Sequence, residues 1–101
     1  MDFEQIFQEL YETMLKSFKK DANKVKGYLL YVLEENKQAL AKITNYYITG
    51  DFTNEEYETK LRQNMLKMQD QMLAIKVMKK KVVENAVNAG IDVVMKAIRI
   101  I

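Results

Sequence analysis

The apolar residues of this 101-residue chain recur at steps of three and four, the spacing that places side chains on one face of a helix. A first apolar stripe runs from Phe3 to Phe18, and it weakens at "KKDANKVKG", where Asp and Asn are good helix-capping residues. We therefore predict a first helix over about 3–20 and a second over about 24–49. A single unbroken helix over 2–49 is the alternative, because the stripe stays roughly in phase.

The segment "ITGDFTNEEY" has the residues of a turn between two helices. Gly50 stands just past the predicted helix end, where a left-handed conformation suits glycine. Thr53 and Glu56 have the spacing of a capping box, in which the hydroxyl and the carboxylate each satisfy an otherwise unpaired backbone N–H. Phe52 is placed to pack on Tyr57 as a hydrophobic staple. Each of these residues has a structural role, so we expect a turn and no active site here.

Beyond this turn a near-heptad rhythm of apolar residues continues to the end of the chain, interrupted only by Gly90. A single glycine is tolerated inside a well-packed helix, so we predict one long helix over about 54–100. The absence of proline and the presence of only three glycines disfavour a β-rich fold, which needs many tight turns. The predicted fold is all-α: an antiparallel bundle of three long helices, forming one domain over 1–101 and completed by oligomerisation.

The segment "GDFTNEEYETK" resembles the short C-terminal helical hairpin domain known as SHOCT. Members of that family carry a glycine, an apolar residue, a threonine, two glutamates, an aromatic residue and a lysine. The resemblance covers residues 40–66, and it departs from the family in its central position and in Asn64 and Met65, where paired leucines are expected. It implies an interaction or oligomerisation module without an active site. The matching residues are Gly50, Phe52, Thr53, Glu55, Glu56, Tyr57 and Lys60.

The absence of histidine and cysteine restricts the chemistry that the chain can perform. Without them it lacks the usual general base near neutral pH, a thiolate nucleophile and any Cys/His zinc site. Ser17 could pair with Lys16 or Lys20, but nothing near them in the sequence builds an oxyanion hole. We predict that the protein is not an enzyme and needs no metal or organic cofactor.

The charges are nearly balanced overall, with 16 basic and 14 acidic residues, but "KVMKKKVV" is strongly basic. On a helix Lys76, Lys79 and Lys80 share one face, with Lys81 beside them, and we predict these lysines as contacts for an anion. A solvated helix face is the simpler interpretation. A nucleic-acid partner is disfavoured, because such binders usually add arginine or aromatic side chains for the bases. The predicted anion contacts are Lys76, Lys79, Lys80 and Lys81.

The last 20 residues, 82–101, carry an apolar arc wider than packing against one neighbouring helix requires. Two arrangements would cover this arc. It could pack against other helices, in a homo-oligomer with a dimer favoured or in a complex with a partner protein, or it could lie on a membrane with the lysines near anionic lipid. The predicted interface residues are Val83, Ala86, Val87, Gly90, Ile91, Val94, Ala97, Ile98 and Ile101.

These patterns favour a non-enzymatic helical module for protein–protein interaction or assembly. The alternative function is peripheral binding to anionic surfaces, with a membrane before nucleic acid. The acidic N-terminal residues do not resemble a signal peptide, and no apolar run is long enough to span a bilayer, so we expect a cytoplasmic protein.

Overall fold

The computed structural model describes residues 3–99, which fold into a bundle of helices without a strand among them. A single 3-10 turn, Lys19–Asp21, joins the first two helices. The all-α prediction is confirmed, but the predicted number of three helices is wrong, since residues 3–99 contain four α-helices. They are α1 (Phe3–Lys16), α2 (Ala22–Ile48), α3 (Asn54–Leu73) and α4 (Lys80–Arg99).

Each helix packs against two others, so that α1 lies against α2 and α4, and α3 lies against the same two helices. Successive helices run antiparallel: the Thr44 hydroxyl meets the Tyr57 hydroxyl at one end of the α2–α3 pair, and Asn36 bonds Gln71 further along. Consequently the α1–α2 turn and the α3–α4 loop lie at the same end of a bundle 39 Å long. The α2–α3 turn lies at the opposite end.

The predicted break between the first two helices is confirmed, but it lies at residues 17–21, a few positions before the predicted one, and the alternative of one helix over 2–49 is wrong. Helix α1 ends at Lys16, and the backbone N–H of Ser17 donates to the carbonyl of Met14 in a tightened last turn. Lys19 has a φ of 50°, a left-handed value that stops the helix. Phe18 is buried beneath this turn, so its packing in the core stabilises the change of direction.

The α2–α3 turn also forms as predicted. Gly50 has a φ of 87°, the N–H of Asp51 donates to the carbonyl of Tyr46, and the N–H of Gly50 donates to that of Tyr47. These two bonds are the Schellman motif of a helix C-terminus. Both bonds of the capping box between Thr53 and Glu56 are present.

The ring of Phe52, by contrast, does not have the predicted partner. It packs edge-on against Tyr46 at a centroid distance of 5.4 Å. Tyr57 instead stacks on Tyr47 at 4.8 Å, and it is fully buried. The aromatic residues of the turn therefore pack in two pairs across α2 and α3, and the hydrophobic staple is wrong in its partner.

The single long helix predicted over 54–100 is wrong, because α3 ends at Leu73 and α4 begins only at Lys80. Between them the chain makes tight turns, in which Ile75 N–H donates to the Met72 carbonyl and Met78 N–H to the Ile75 carbonyl. Met78 turns inward and is buried in the core. The reversal brings α4 back against α1 and α3, so that its apolar arc is buried instead of continuing into water.

The helices approach one another closely at Gly90, where α1, α3 and α4 meet. A Cβ placed on Gly90 would lie 2.8 Å from Cδ1 of Leu10, 2.9 Å from Cε of Met65 and 3.2 Å from Cγ of Met14. Glycine is therefore required here by packing. None of the helices in residues 3–99 combines the length and the apolar character that crossing a membrane requires.

Removing the capping hydroxyl at the start of α3 should destabilise the bundle. We expect Thr53→Ala to lower the free energy of unfolding by about 0.5–2 kcal/mol, because the N–H of Glu56 loses its acceptor. Thr59→Ala is the matched control, since Thr59 is exposed inside α3 and alanine is the better helix former. Urea denaturation followed by circular dichroism measures both. Equal stability of the two variants would contradict the capping role.

Candidate anion-binding surface at one end of the bundle

The fold gathers lysines that are far apart in the sequence. One group lies in and beside the α1–α2 turn, and the other lies in the α3–α4 loop and the first turn of α4. Because both connections are at the same end of the bundle, the two groups lie on the surface of that end, and all of their side chains are exposed. We call this surface the basic end, and it consists of Lys16, Lys19, Lys20, Lys24, Lys26, Lys76, Lys79, Lys80 and Lys81.

The basic end holds much more positive charge than the whole chain. The two segments 16–26 and 74–84 contain nine lysines and two carboxylates, a formal charge of +7, whereas the whole chain carries +2. Asp21 lies 4.0 Å from Lys24 in an exposed pair that contributes little. Like charges at this density repel one another, and an anionic partner would relieve that repulsion.

Positive charge is also concentrated at the start of α4, where it lowers the stability of the helix. Lys80 and Lys81 are its first two residues, Lys79 precedes them, and its first turn has no acidic residue. A helix N-terminus carries partial positive charge and favours acidic side chains. Lysines in place of acidic side chains at a helix N-terminus go against this preference, and such departures are typical of functional surfaces.

An apolar side chain is exposed beside the lysines of the α3–α4 loop. Val77 is 48% exposed at the apex of the α3–α4 loop, one residue after Lys76 and two before Lys79. The next residue, Met78, is buried and anchors the loop to the core. The loop is therefore held to the core by Met78 and exposes the side chain of Val77 to solvent.

A groove of 290 Å³ runs beside the basic end, between α2 and the end of α3. It is lined by Tyr31, Val32, Glu35, Gln71 and Ile75. The hydrogen bond of Tyr31 to Glu35, and then the negative charge of that carboxylate, raise the pKa of the Tyr31 phenol. The Tyr31 hydroxyl is thus engaged with the Glu35 carboxylate on the rim of this groove.

A second tyrosine with a raised pKa has a structural role. Burial raises the pKa of Tyr57, whose hydroxyl is 2.9 Å from that of Thr44 inside the core. This pair satisfies two buried hydroxyls at the end of the bundle opposite the lysines. Across residues 3–99, no three carboxylates come together in a way that could hold a metal ion.

The four predicted anion contacts are at the basic end, but their predicted arrangement is wrong. Lys76 lies in the loop and Lys79 before α4, so that only Lys80 and Lys81 are helical and no single helical face unites the four. The sequence analysis missed the five lysines of the first group. The lysine-rich stretch "KSFKKDANKVK" contains all five of them. It can be recognised as part of a basic surface only once the antiparallel topology places it at the same end of the bundle as the α3–α4 loop.

The predicted interface residues of α4 mostly lie in the chain's own core. Helices α1 and α3 cover the arc, so the burial that we expected from a second copy is provided within one chain. Ala97 is partly buried, and Ile101 lies outside the described residues. The oligomer stays a prediction. The apolar arc of α4 that motivated it is covered by α1 and α3, so it no longer supports the oligomer. The fully covered members are Val83, Ala86, Val87, Gly90, Ile91, Val94 and Ile98.

Comparison with protein families, with characterised proteins and with solved structures finds no match to this chain. The resemblance of residues 40–66 to SHOCT accordingly stays a prediction. Functional inference therefore rests on the chemistry of the exposed surface.

Proposed function

We propose that this protein is a non-enzymatic helical interaction module that binds an extended anionic partner through its basic end. The observation that supports this proposal most is the convergence of nine exposed lysines from two separate connections on one end of the bundle. The opposite end has no comparable excess, because the α2–α3 turn carries Asp51, Glu55 and Glu56.

An extended partner fits this surface better than a small ligand does. The lysine side chains are exposed, and a single ion pair in water contributes at most about 1 kcal/mol. Affinity from such contacts requires many of them at once, as on a polyanion or a charged surface. Binding should therefore weaken steeply as salt rises, whereas apolar association should not.

The location of the charge, and not its total, is what the first experiment must test. One variant replaces four lysines of the basic end by glutamine, namely Lys16, Lys20, Lys76 and Lys79. The matched control replaces four exposed lysines elsewhere, namely Lys42, Lys60, Lys67 and Lys96, with the same change in net charge. Heparin serves as the polyanionic probe, and its affinity is measured over a series of salt concentrations.

We expect the basic-end variant to bind heparin about a hundredfold more weakly than the parent and to show a shallower salt dependence. The control should keep most of the parent's affinity. Equal losses in the two variants would mean that binding follows net charge alone, and the proposal would then be rejected.

Charge reversal at the start of α4 should separate binding from stability. We expect the double variant Lys80→Glu, Lys81→Glu to melt at a higher temperature than the parent, because each glutamate favours the helix N-terminus by about 0.3–1 kcal/mol. The same variant should bind heparin more weakly. Thermal unfolding and heparin binding measure the two effects. A variant that is both less stable and unaffected in binding would contradict the proposed role of these lysines.

A further inference from the structure

The exposed valine at the apex of the α3–α4 loop has no role in binding phosphate or sulfate groups from water. Val77 nevertheless stands outward, while the Met78 side chain beside it is buried. An apolar side chain flanked by lysines in one loop matches the boundary of an anionic bilayer, where charged head groups lie over hydrocarbon. The chemistry of this loop therefore indicates which anionic partner the basic end fits.

The composition of the basic end points the same way. Both arginines of the chain lie outside it: Arg62 is in the middle of α3, paired with Glu58 at 3.2 Å, and Arg99 is the last residue of α4. Nucleic-acid binders usually use arginine to read base edges. Clustered lysines are sufficient for the negative surface of an anionic membrane.

We propose that the anionic partner is a lipid bilayer, and that Val77 enters its head-group region while the lysines of the basic end contact lipid phosphates. This inference rests on the proposed function. The long axis of the bundle would be roughly perpendicular to the membrane plane, because the lysines lie at one end of the bundle and not along its side. The proposal differs from the sequence prediction, in which α4 lies flat on the membrane, since the apolar arc of α4 is in the core.

A tryptophan placed in the loop tests insertion directly, because the chain has no tryptophan of its own. The variant Val77→Trp reports on the basic end. Ile48→Trp is the matched control, since Ile48 is 49% exposed at the opposite end of the bundle. Vesicles of phosphatidylcholine mixed with phosphatidylserine are compared with vesicles of phosphatidylcholine alone.

We expect the emission of Val77→Trp to shift to shorter wavelength only with the anionic vesicles, and that of Ile48→Trp to stay unchanged. Val77→Ser, in a chain without tryptophan, should bind these vesicles about tenfold more weakly than the parent. Its affinity for heparin should equal that of the parent, because the lysines are intact. A uniform loss for both probes would indicate a structural effect of the serine and would contradict insertion.

The outcomes distinguish the inference from the proposed function. Binding to heparin or to single-stranded RNA without binding to anionic vesicles would overturn the lipid proposal and leave the basic end as a polyanion site. Vesicle binding without a shift for Val77→Trp would overturn insertion of the loop. Unchanged heparin binding by the four-glutamine variant of the basic end would overturn the proposed function itself.

Discussion

Gly90→Val is expected to destabilise the bundle by about 3 kcal/mol or more, the largest effect of any single uncharged substitution that we predict. The first added carbon would already lie 2.8 Å from Cδ1 of Leu10 and 2.9 Å from Cε of Met65. Both contacted atoms are the ends of flexible side chains, but these side chains are buried, so accommodating them together with valine's two further methyl groups requires the core to repack. Valine is the better helix former, but by less than 1 kcal/mol, which does not offset the clash.

The matched control is Gly27→Val, which makes the same substitution on the exposed face of α2. No atom lies within 4 Å of a Cβ at Gly27, so this variant should be as stable as the parent or slightly more stable. Urea denaturation followed by circular dichroism gives the free energy of unfolding of both. If Gly90→Val is as stable as Gly27→Val, then α4 does not pack against α1 and α3 as described.

Val94→Asp is expected to unfold the protein. Val94 is 3% exposed and lies in the core between α4 and its neighbours, where an unpaired carboxylate costs several kcal/mol. That cost is a large part of the total stability of a domain of about this size. Asn88→Asp is the matched control, because it adds the same charge at an exposed position of α4 and should remain folded.

The same variant distinguishes a core position from an oligomer interface. In a core, Val94→Asp loses its helical circular dichroism. At an interface between copies, it would remain folded and light scattering would show a smaller species than the parent. A folded monomer obtained from an oligomeric parent would restore the interface that the sequence predicts for α4.

The parts of the fold that could be predicted from the sequence depend on residues close together in the chain. The α2–α3 turn needs Gly50, Thr53 and Glu56, which lie within seven positions of one another and satisfy backbone groups locally. The polar, lysine-rich stretch after Phe18 similarly marks the break between α1 and α2, although Asp21, the N-cap of α2, makes no side-chain capping hydrogen bond. Short-range hydrogen bonding determines the α2–α3 turn, and a loss of the apolar stripe marks the α1–α2 break, so a single sequence is sufficient to find both.

The break between α3 and α4 could not be found in this way. The segment "LAIKVMKK" contains neither glycine nor proline, and its residues are compatible with a helix. What ends α3 is the gain from burying Met78 and from folding α4 back onto α1, which depends on residues more than sixty positions away. Tertiary packing here overrides helix propensity.

The basic end was only half predictable for the same reason. The lysines at 76–81 are conspicuous as a run, but those at 16–26 are spaced among polar and apolar residues. The two groups of lysines lie at the same end of the bundle only because the chain reverses between α3 and α4. A continuous helix over 54–100 would carry the lysines at 76–81 away from the α1–α2 turn. The error in the third helix therefore led directly to the missed lysines.

The central claim, that the basic end is the binding surface, is tested most directly by nuclear magnetic resonance of the isotope-labelled protein during titration with a soluble anionic probe. Short heparin fragments serve for this purpose, and the backbone amide shifts report the contact residue by residue. We predict the largest shifts in segments 16–26 and 74–84, together and with one dissociation constant. Shifts concentrated in the α2–α3 turn, or spread evenly over all exposed lysines, would contradict the claim.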